Sequence, residues 1–393
     1  MNLERRSGSI CASKGFLASG VAAGIKRSGA YDLALIFSER PAVAAGIFTT
    51  NKVVAAPVVI SRGRIAGGSA RGVVVNSGNA NACTGGRGYR DALEMAEQAG
   101  NELNVDPKQM LVCSTGLIGS YLPMDRVRQG IRRAAAEMGP GDQAAAAAIM
   151  TTDTKPKMAA VESPSGWRLG GIAKGAGMIS PHMATMLAFI TTDAEVEAGQ
   201  LQEALNEAAG TTFNSISVDG DRSTNDTVLA FANGASGVIP NLADFASALH
   251  AVCRDLAEQI VADGEGATKL IRITVGGAAT EEDARKAAHA VARSTLVKTA
   301  VYGQDANWGR IAAAVGSSGA LADFDRLSIS MAGVSLLQAG EPPAPEAITQ
   351  ARRAMDDSEI TIECHLANGS ASAEVLTCDL TPEYVRLNAE YEK

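Results

Sequence analysis

The sequence predicts a mixed α/β or α+β protein in which strands come in groups rather than alternating strictly with helices. Short apolar or β-branched stretches, bounded by Gly, Pro or Asn, recur along the chain as strands do. Between them lie longer stretches whose apolar residues recur every three or four positions, which is the period of a helix. The 393 residues exceed the roughly 250–300 that one hydrophobic core supports, which predicts two or three packed units.

The first part of the chain predicts a set of strands and then helices. Strands are expected at Asp32–Ser38, Val43–Thr49, Ala56–Ile60, Gly72–Asn76 and Met110–Val112. Helices are expected at Tyr89–Leu103, at Met124–Met138 after Pro123, and at Gln143–Met150 after the Gly139–Gly141 breaker.

The remainder alternates again. Strands are expected at Trp167–Gly171, Met186–Thr192, Ser215–Val218, Thr227–Ala232 and Leu270–Val275. Helices are expected at Leu201–Ala209, at Leu242–Val261 and from Thr280, which has Asp283 three residues on, to about Val297. Alternating helix and strand follow at Ile311–Gly316, Leu327–Met331, Pro345–Met355, Glu359–Leu366 and Ala371–Leu376. A domain boundary near Gly276–Glu281 divides a core domain, 1–278, from a C-terminal α/β domain, 279–393.

Composition excludes several classes of function. The net charge of −8 gives no reason to expect nucleic acid or an anionic membrane as partner. The six Cys contain no CxxC pair, and the four His have neither HxH nor HExxH spacing, so no zinc site, disulfide framework or other metal site is expected. Because no apolar run has the length of a signal peptide or a membrane span, the chain is expected in the cytoplasm.

The most unusual segment is Gly170–Asp193, a Gly-rich loop with one Lys that leads into Ala184, Thr185 and an apolar strand. It is no Walker loop, because Gly-Lys-Ser/Thr is absent. Residue chemistry leaves two interpretations open: a structural hairpin, or a nucleophilic Thr185. A Thr hydroxyl needs a base, and its own α-amine, with a pKa of about 7.7–8.0, could serve if the preceding peptide bond were cut.

Two loops, Asn76–Cys83 and Asp219–Asp226, are rich in Asn, Asp and Gly. Such residues close turns by bonding their side chains to nearby backbone. The second loop lacks the twelve-residue spacing of a calcium loop that ends in a bidentate Glu. Both loops are therefore predicted to be scaffolding, and neither is expected to bind a metal.

Seven motifs, in order, resemble the ornithine acetyltransferase (glutamate N-acetyltransferase) family of arginine biosynthesis along essentially the whole chain. They are Val75–Gly85 (VNSGNANACTG), Cys113–Gly119 (CSTGLIG), Met150–Lys155 (MTTDTK), Lys174–Leu187 (KGAGMISPHMATML), Ser217–Thr227 (SVDGDRSTNDT), Asp263–Thr268 (DGEGAT) and Tyr302–Arg310 (YGQDANWGR). The resemblance implies a layered sandwich of two sheets flanked by helices, a self-cleaving Thr-nucleophile scaffold with a smaller C-terminal domain.

The resemblance also implies a mechanism. Cleavage between Ala184 and Thr185 gives mature chains 1–184 and 185–393 and frees Thr185 as an N-terminal nucleophile. Thr185 takes the acetyl group of N-acetylornithine as an ester and passes it to glutamate by ping-pong kinetics. Thr115 and Gly116 match the family's oxyanion-hole pair.

Substrate contacts follow from the resemblance residue by residue. Thr151 matches one such position, with Thr152 and Thr154 as neighbouring alternatives. The other matches are Lys174, Thr185 itself, the acidic Glu265 and Asn388. The chain departs from the family's pattern at His182, where Asn is usual, and at Lys393, where Thr or Ser is usual.

No cofactor is expected, although the sequence leaves open whether acetyl-CoA is a second donor and therefore a co-substrate. The expected partners are N-acetylornithine, glutamate and the α and β chains of the same precursor, assembled as a heterotetramer. One alternative is a self-cleaving N-terminal-Thr amidase or aminopeptidase that uses water as acceptor. Another is a non-enzymatic binding protein that has kept the fold.

Overall fold

The computed structural model describes residues 3–180 and 186–390. Within these ranges the chain forms two compact units. The first contains residues 3–178, 186–214 and 221–260, and the second contains residues 179–180, 215–220 and 261–390. The predicted mixed α/β class is confirmed. The domain boundary predicted after residue 278 and the division into mature chains stay predictions.

The first unit contains two sheets among its described residues. A six-stranded sheet has the order β1-β7-β8-β9-β10-β4, and a four-stranded sheet has the order β2-β3-β5-β6. The strands are β1 (Glu4–Arg5), β2 (Phe16–Val21), β3 (Leu33–Ser38), β4 (Val43–Phe48), β5 (Gly72–Asn79), β6 (Met110–Leu117), β7 (Lys157–Glu162), β8 (Arg168–Lys174), β9 (Leu187–Thr192) and β10 (Thr227–Ala232). The pairs β5–β6 and β9–β10 are parallel, and the other pairs are antiparallel.

Helices flank these sheets. They are α1 (Ala56–Ile65), α2 (Gly85–Glu102), α3 (Met124–Ala136), α4 (Asp142–Ala148), α5 (Ala198–Thr211) and α6 (Leu242–Ala262). Short 3₁₀ turns cover Ile10–Ala12, Pro107–Gln109 and Phe213–Ser215.

The predicted sandwich is confirmed by the packing of the first unit. One buried cluster combines Ile36 and Val75 of the four-stranded sheet with Phe189 and Leu229 of the six-stranded sheet, so the two sheets pack face to face. A second cluster places α2 and α3 on the outer face of the four-stranded sheet. Helix α6 lies on the outer face of the six-stranded sheet, where its Phe245 ring centroid is 5.8 Å from that of Trp167.

The second unit is built on a five-stranded sheet with the order β13-β12-β14-β11-β15 in the described part of the chain. Its strands are β11 (Leu270–Ala278), β12 (Ser328–Met331), β13 (Val334–Leu337), β14 (Glu359–His365) and β15 (Ala371–Cys378). Its helices are α7 (Glu281–Arg293), α8 (Thr295–Tyr302), α9 (Trp308–Gly316), α10 (Pro345–Ala354) and α11 (Pro382–Ala389), with a 3₁₀ turn at Phe324–Arg326. Burial alternates along β11 and β14, as expected for a sheet with one face against helices and one toward solvent.

Three predicted elements were wrong in type or extent. Ala56–Ile60 is the start of helix α1, because Pro57 in its first turn fixes a helical φ and Val58 and Ile60 then face the interior. Ser215–Val218 is no strand; Ile216 makes only an isolated bridge to Leu376. The helix predicted from Thr280 to Val297 ends at Arg293, since the Ser294 hydroxyl accepts from the amide of Val297 and begins α8.

The N-cap predicted at Thr280 is confirmed by a hydrogen bond of 3.1 Å from the Asp283 amide to the Thr280 hydroxyl. Strands β2, β7 and β13 and helix α11 are elements that the sequence did not predict. Across residues 3–180 and 186–390, no helix combines the length and the apolar character needed to cross a membrane.

Candidate active site

The predicted oxyanion-hole residues, Thr115 and Gly116, lie near the end of β6. This strand runs parallel to β5, with Ser77 opposite Thr115 and Gly78 opposite Gly116, and the register breaks at Asn79. Gly116 has a φ of 131°, and a Cβ there would come within 2.3 Å of the Gly78 carbonyl carbon. Only glycine fits this combination of positive φ and close backbone approach. The irregular strand end therefore fixes the direction of the Gly116 amide.

Lys174, the last residue of β8, joins two of the other predicted residues. Its side chain is buried, and its Nζ donates to Thr151 Oγ1 at 2.7 Å and to Thr115 Oγ1 at 3.3 Å. A buried ammonium is stable only when such partners replace water. The structure thus brings Thr115, Thr151 and Lys174 together, and Thr151 is the threonine of its motif that contacts Lys174.

Asp153 connects this cluster to the backbone, and the sequence did not predict its role. Its Oδ1 accepts from Lys157 Nζ and from the Gly175 amide, each at 2.6 Å, and its Oδ2 accepts from the Thr151 amide at 2.9 Å. Burial alone would raise the pKa of Asp153, but the charges of Lys174 and Lys157 outweigh burial and lower the pKa to about 2. Asp153 is therefore an ionised carboxylate. It fixes the backbone at Thr151 and at Gly175, the residue directly after Lys174.

Asp226, directly before β10, is a second buried acid that the sequence did not single out. Neither of its carboxyl oxygens has a hydrogen-bond partner among the described residues. Burial raises the pKa of Asp226 well above its ordinary value. The nearby hydroxyls of Ser223 and Thr49 and the amide of Met186 lower the pKa by a smaller amount. None of these three groups has good hydrogen-bonding geometry to the carboxyl oxygens. Burial therefore favours the protonated, neutral form of this carboxyl. The motif Ser217–Thr227 contains Asp226, but only the packing around β10 reveals that its carboxyl is buried.

The polar loops act as scaffolding, as predicted. Asn76 Nδ2 donates to the Asn79 carbonyl at 2.8 Å, and Asn76 Oδ1 accepts from the Ser114 hydroxyl at 2.6 Å. Asn225 Nδ2 donates to the carbonyls of Ala80 at 2.6 Å and Ser114 at 2.9 Å. These side chains hold the backbone that precedes Thr115. In residues 3–180 and 186–390, no three His, Cys, Asp or Glu side chains cluster as metal ligands would.

The second unit brings together two further predicted residues. Asn388 Nδ2 in α11 donates to Glu265 Oε2 at 2.8 Å and to the Tyr384 carbonyl at 3.0 Å. Glu265 is only 9% exposed, so its carboxylate is largely withdrawn from solvent. The Thr381 hydroxyl donates to the Gly266 carbonyl at 2.8 Å, which ties the start of α11 to the turn that carries Glu265.

The central prediction, a nucleophilic Thr185 freed by cleavage after Ala184, lies outside the described residues, as do His182 and Lys393. Met186 and β9 follow directly, and the Thr227 amide donates to the Met186 carbonyl at 3.1 Å. A surface cleft of about 780 Å³, lined by Glu207, Phe245 and His250 among others, contains none of the predicted site residues.

Comparison with known proteins identifies the family. The ArgJ family model matches residues 17–393. The chain is 51% identical to the arginine biosynthesis bifunctional protein ArgJ of Symbiobacterium thermophilum, over 99% of this chain and all of that protein. The chain belongs to the ArgJ family.

Two solved structures are also similar to this ArgJ-family chain. One is the arginine biosynthesis bifunctional protein ArgJ of Bacillus halodurans, with 42% identity and a TM-score of 0.50 over 52% of this chain and 98% of that one. The other is the ornithine acetyltransferase of Mycobacterium tuberculosis complexed with ornithine, with 45% identity and a TM-score of 0.45 over 46% and 98%. The match to the family model and the identity to the Symbiobacterium thermophilum protein confirm the resemblance drawn from the seven motifs at the level of the ArgJ family.

Proposed function

We propose that this chain is a glutamate N-acetyltransferase, which moves the acetyl group of N2-acetyl-L-ornithine to L-glutamate in arginine biosynthesis. Its membership of the ArgJ family supports this function. The single structural observation that carries it is the contact of Lys174 Nζ with both Thr115 and Thr151. That contact joins the predicted oxyanion donor and two predicted substrate contacts into one buried cluster.

The first half-reaction forms an acetyl ester. The Thr185 hydroxyl attacks the acetyl carbonyl of N-acetylornithine while the free Thr185 α-amine takes the hydroxyl proton. The Thr115 hydroxyl and the Gly116 amide stabilise the resulting oxyanion, an effect of roughly 3–4 kcal/mol for each donor in comparable enzymes. The intermediate then breaks its C–N bond, the α-ammonium returns the proton to the leaving nitrogen, and ornithine departs.

The second half-reaction reverses these roles. The neutral α-amino group of glutamate attacks the ester carbonyl and gives a proton to the neutral Thr185 α-amine, while the same two donors stabilise the oxyanion. The resulting α-ammonium then returns that proton to the Thr185 oxygen as the C–O bond of the ester breaks. Acetylglutamate and free Thr185 result. Because Lys174 donates to the Thr115 oxygen, the Thr115 hydroxyl keeps its own proton for the oxyanion. The ammonium behind it makes this hydroxyl a stronger donor.

The function requires a free N-terminal Thr185, so the proposal includes cleavage of the precursor between Ala184 and Thr185. We further propose that the two resulting chains assemble as a heterotetramer in the cytoplasm. Thr151, Lys174, Glu265 and Asn388 are the proposed substrate contacts, with the Glu265 carboxylate suited to an ammonium group of ornithine. No resident cofactor is proposed, and acetyl-CoA is proposed as an additional donor.

The decisive experiment combines chemical identity with activity. Intact-mass analysis and N-terminal sequencing should find a new chain that begins at Thr185, and the enzyme should form acetylglutamate from N-acetylornithine and glutamate. Thr185→Ala should abolish both cleavage and transfer. Thr349→Ala, which changes an exposed threonine of α10, should leave both intact.

Two other outcomes would support different functions. Release of free acetate without acetylglutamate would replace the proposal with an amidase that uses water as acceptor. An uncleaved chain of 40.3 kDa without transfer would favour a binding protein. The same assay with acetyl-CoA in place of N-acetylornithine tests the additional donor.

A further inference from the structure

The connection between β2 and β3 is fixed by a buried acid at its end. Asp32 is fully buried, and its Oδ1 accepts from the Ala23 amide at 2.6 Å. Its Oδ2 accepts from the amides of Ile25 at 2.6 Å and Lys26 at 2.9 Å. Three charge-assisted bonds to one carboxylate hold this stretch of backbone in a single conformation. The position of Lys26 is therefore set by the fold.

The side chain of Lys26 lies against the strand that carries the oxyanion site. A Cβ placed on Gly78 would be 3.0 Å from Lys26 Cγ and 3.6 Å from the Lys26 amide. Gly78 is the ladder partner of Gly116, and the two backbones are in close contact. The stem of Lys26 thus packs against the β5 residue that pairs with the predicted oxyanion glycine.

The ammonium of Lys26 is half-buried and has no anionic partner. Its Nζ donates to the Tyr31 carbonyl at 2.6 Å, and no carboxylate forms an ion pair with it in the part of the chain that the structure describes. Burial, together with the nearby charge of Lys174, lowers the pKa of Lys26 to about 8, although the charges of Asp32 and Asp153 act in the opposite direction. Arg126 of α3 is a further cation at this loop, where its Nη1 donates to the Gly24 carbonyl. An anion is the missing partner.

The proposed reaction supplies such an anion in only one of its two half-reactions. Ornithine and glutamate share an α-carboxylate, which Lys174 is predicted to hold. They differ in the side chain, which ends in an ammonium group in ornithine and in a carboxylate in glutamate. Lys26 is a second cation within electrostatic range of Lys174, and it suits the additional carboxylate of the acceptor.

We propose that Lys26 binds the side-chain carboxylate of the acceptor amino acid and thereby selects an acidic acceptor. This inference rests on the proposed function and deepens it. Lys26 is a specificity residue for the second half-reaction, because a half-buried cation forms an ion pair with a ligand carboxylate that a neutral or cationic ligand side chain does not provide.

The test compares Lys26→Gln with Lys26→Arg and with the control Arg27→Gln, which removes an exposed cation from the same loop. For each cleaved protein, KM is measured separately for N-acetylornithine, for glutamate and for glutamine as acceptor. Lys26→Gln should raise the KM for glutamate about tenfold, the loss expected for one charged hydrogen bond. It should change the other two KM values by less than about twofold, and Lys26→Arg should recover most of the preference for glutamate.

Calorimetric titration of glutamate without any donor keeps this inference separate from the proposed function. Weaker binding of glutamate to Lys26→Gln than to the wild type, with glutamine unaffected, supports the inference even if acetyl transfer fails. If Lys26→Gln bound glutamate and glutamine with equally reduced affinity, or with unchanged affinity for both, the inference about Lys26 would be overturned. Acetyl transfer by the wild type would in that case still support the proposed function. A wild type that neither binds glutamate nor transfers acetyl would overturn both.

The proton affinity of Lys26 provides a second readout. Binding of a carboxylate favours the charged ammonium, so glutamate affinity in the wild type should fall as the pH rises through about 8. Lys26→Arg, which stays charged, should show a flatter profile over the same range. A profile unchanged by this substitution would contradict the assignment.

Discussion

Lys157 Nζ lies 2.6 Å from Asp153 Oδ1, and both side chains are completely buried. The same Asp153 oxygen accepts from the Gly175 amide, so one ion pair fixes the backbone directly after Lys174. A buried pair of this kind is sensitive to loss of one partner, because the remaining charge is left without compensation. The contribution of this ion pair to stability can therefore be measured apart from the contribution of Lys174 to catalysis.

Asp153→Asn should lower the free energy of unfolding by about 3–5 kcal/mol, because it removes the carboxylate that faces the buried Lys157 ammonium. The double variant Asp153→Asn/Lys157→Met should be less destabilised, since it removes both charges. Since the pKa of Asp153 is lowered to about 2, its stabilising effect in the wild type should be lost only as the pH falls from about 4 toward 2. Urea unfolding of the three proteins at pH 7 and pH 3 measures both effects. A double variant as unstable as Asp153→Asn would contradict the ion-pair explanation.

Lys174 and Thr115 should be energetically coupled in catalysis. Thr115→Val removes an oxyanion donor and should lower kcat about 10²- to 10³-fold. If Lys174 acts partly through the Thr115 hydroxyl, Lys174→Met should lower kcat as well as raise KM, and the loss in the double variant should be smaller than the product of the two single losses. Steady-state kinetics of the four proteins in this cycle provide the coupling. Strictly multiplicative losses would show that the 3.3 Å contact has no catalytic consequence.

Gly116→Ala should reduce both stability and activity, because its Cβ would come within 2.3 Å of the Gly78 carbonyl carbon at a φ of 131°. The matched control is Gly119→Ala, which has a φ of 87° but no atom within 4 Å of the added Cβ. The control isolates the cost of backbone strain, about 1–3 kcal/mol. Thermal unfolding and acetyl transfer of both variants should show that Gly116→Ala loses more of each. Equal losses would mean that contact with β5 is unimportant.

Asp226→Asn should make the free energy of unfolding depend less on pH. An acid whose pKa is raised by folding stabilises the native state fully below its unfolded pKa of about 3.9, and this contribution is lost as the pH rises. The neutral amide lacks this loss, so the variant should gain stability relative to wild type as the pH rises above about 4. The exposed Asp357→Asn serves as control and should show no such trend. A constant difference across this range would argue against burial of a neutral carboxyl.

Glu265→Gln should raise the KM for N-acetylornithine about tenfold with a smaller effect on that for glutamate, because only ornithine provides a side-chain ammonium for this carboxylate. Asn388→Ala should have a weaker effect, since it removes a single donor to Glu265 Oε2 from an exposed side chain. Glu383→Gln, on the exposed side of α11, is the control. Initial rates with each substrate varied in turn decide the outcome. A larger effect on the KM for glutamate would contradict the assignment of Glu265 to the side-chain ammonium of ornithine.

The sequence predicted the grouping of the strands well but misassigned elements where two local preferences compete. The β-branched run at Val58–Ile60 favours a strand, whereas Pro57 at the start favours a helix, and burial against the four-stranded sheet decides for helix α1. The break at Ser294 was missed because the capping bond to Val297 depends on a change of chain direction that periodicity does not contain.

The residues of the candidate site likewise divide into those that the sequence predicted and those that it did not. Thr115, Gly116, Thr151 and Lys174 could be predicted because ordered motifs carry them, and the structure places them together. The importance of Asp153 and Asp226 could not be predicted, because acidic residues in polar loops are usually solvated. What distinguishes these two is the loss of solvent around them and the presence or absence of a cation, which depend on strands distant in sequence.

The proposed cleavage would break the chain between two strands that are paired in the six-stranded sheet. Strand β8 lies before residue 184 and β9 after it, yet the two pair without interruption from Leu169 opposite Thr192 to Lys174 opposite Leu187. β4 and β10 are joined across the same divide. The two fragments would therefore form a naturally split protein, in which separation exposes ladder hydrogen bonds and apolar faces together. Dissociation of the fragments and unfolding of the six-stranded sheet should therefore coincide, and neither fragment expressed alone should keep its strands of that sheet.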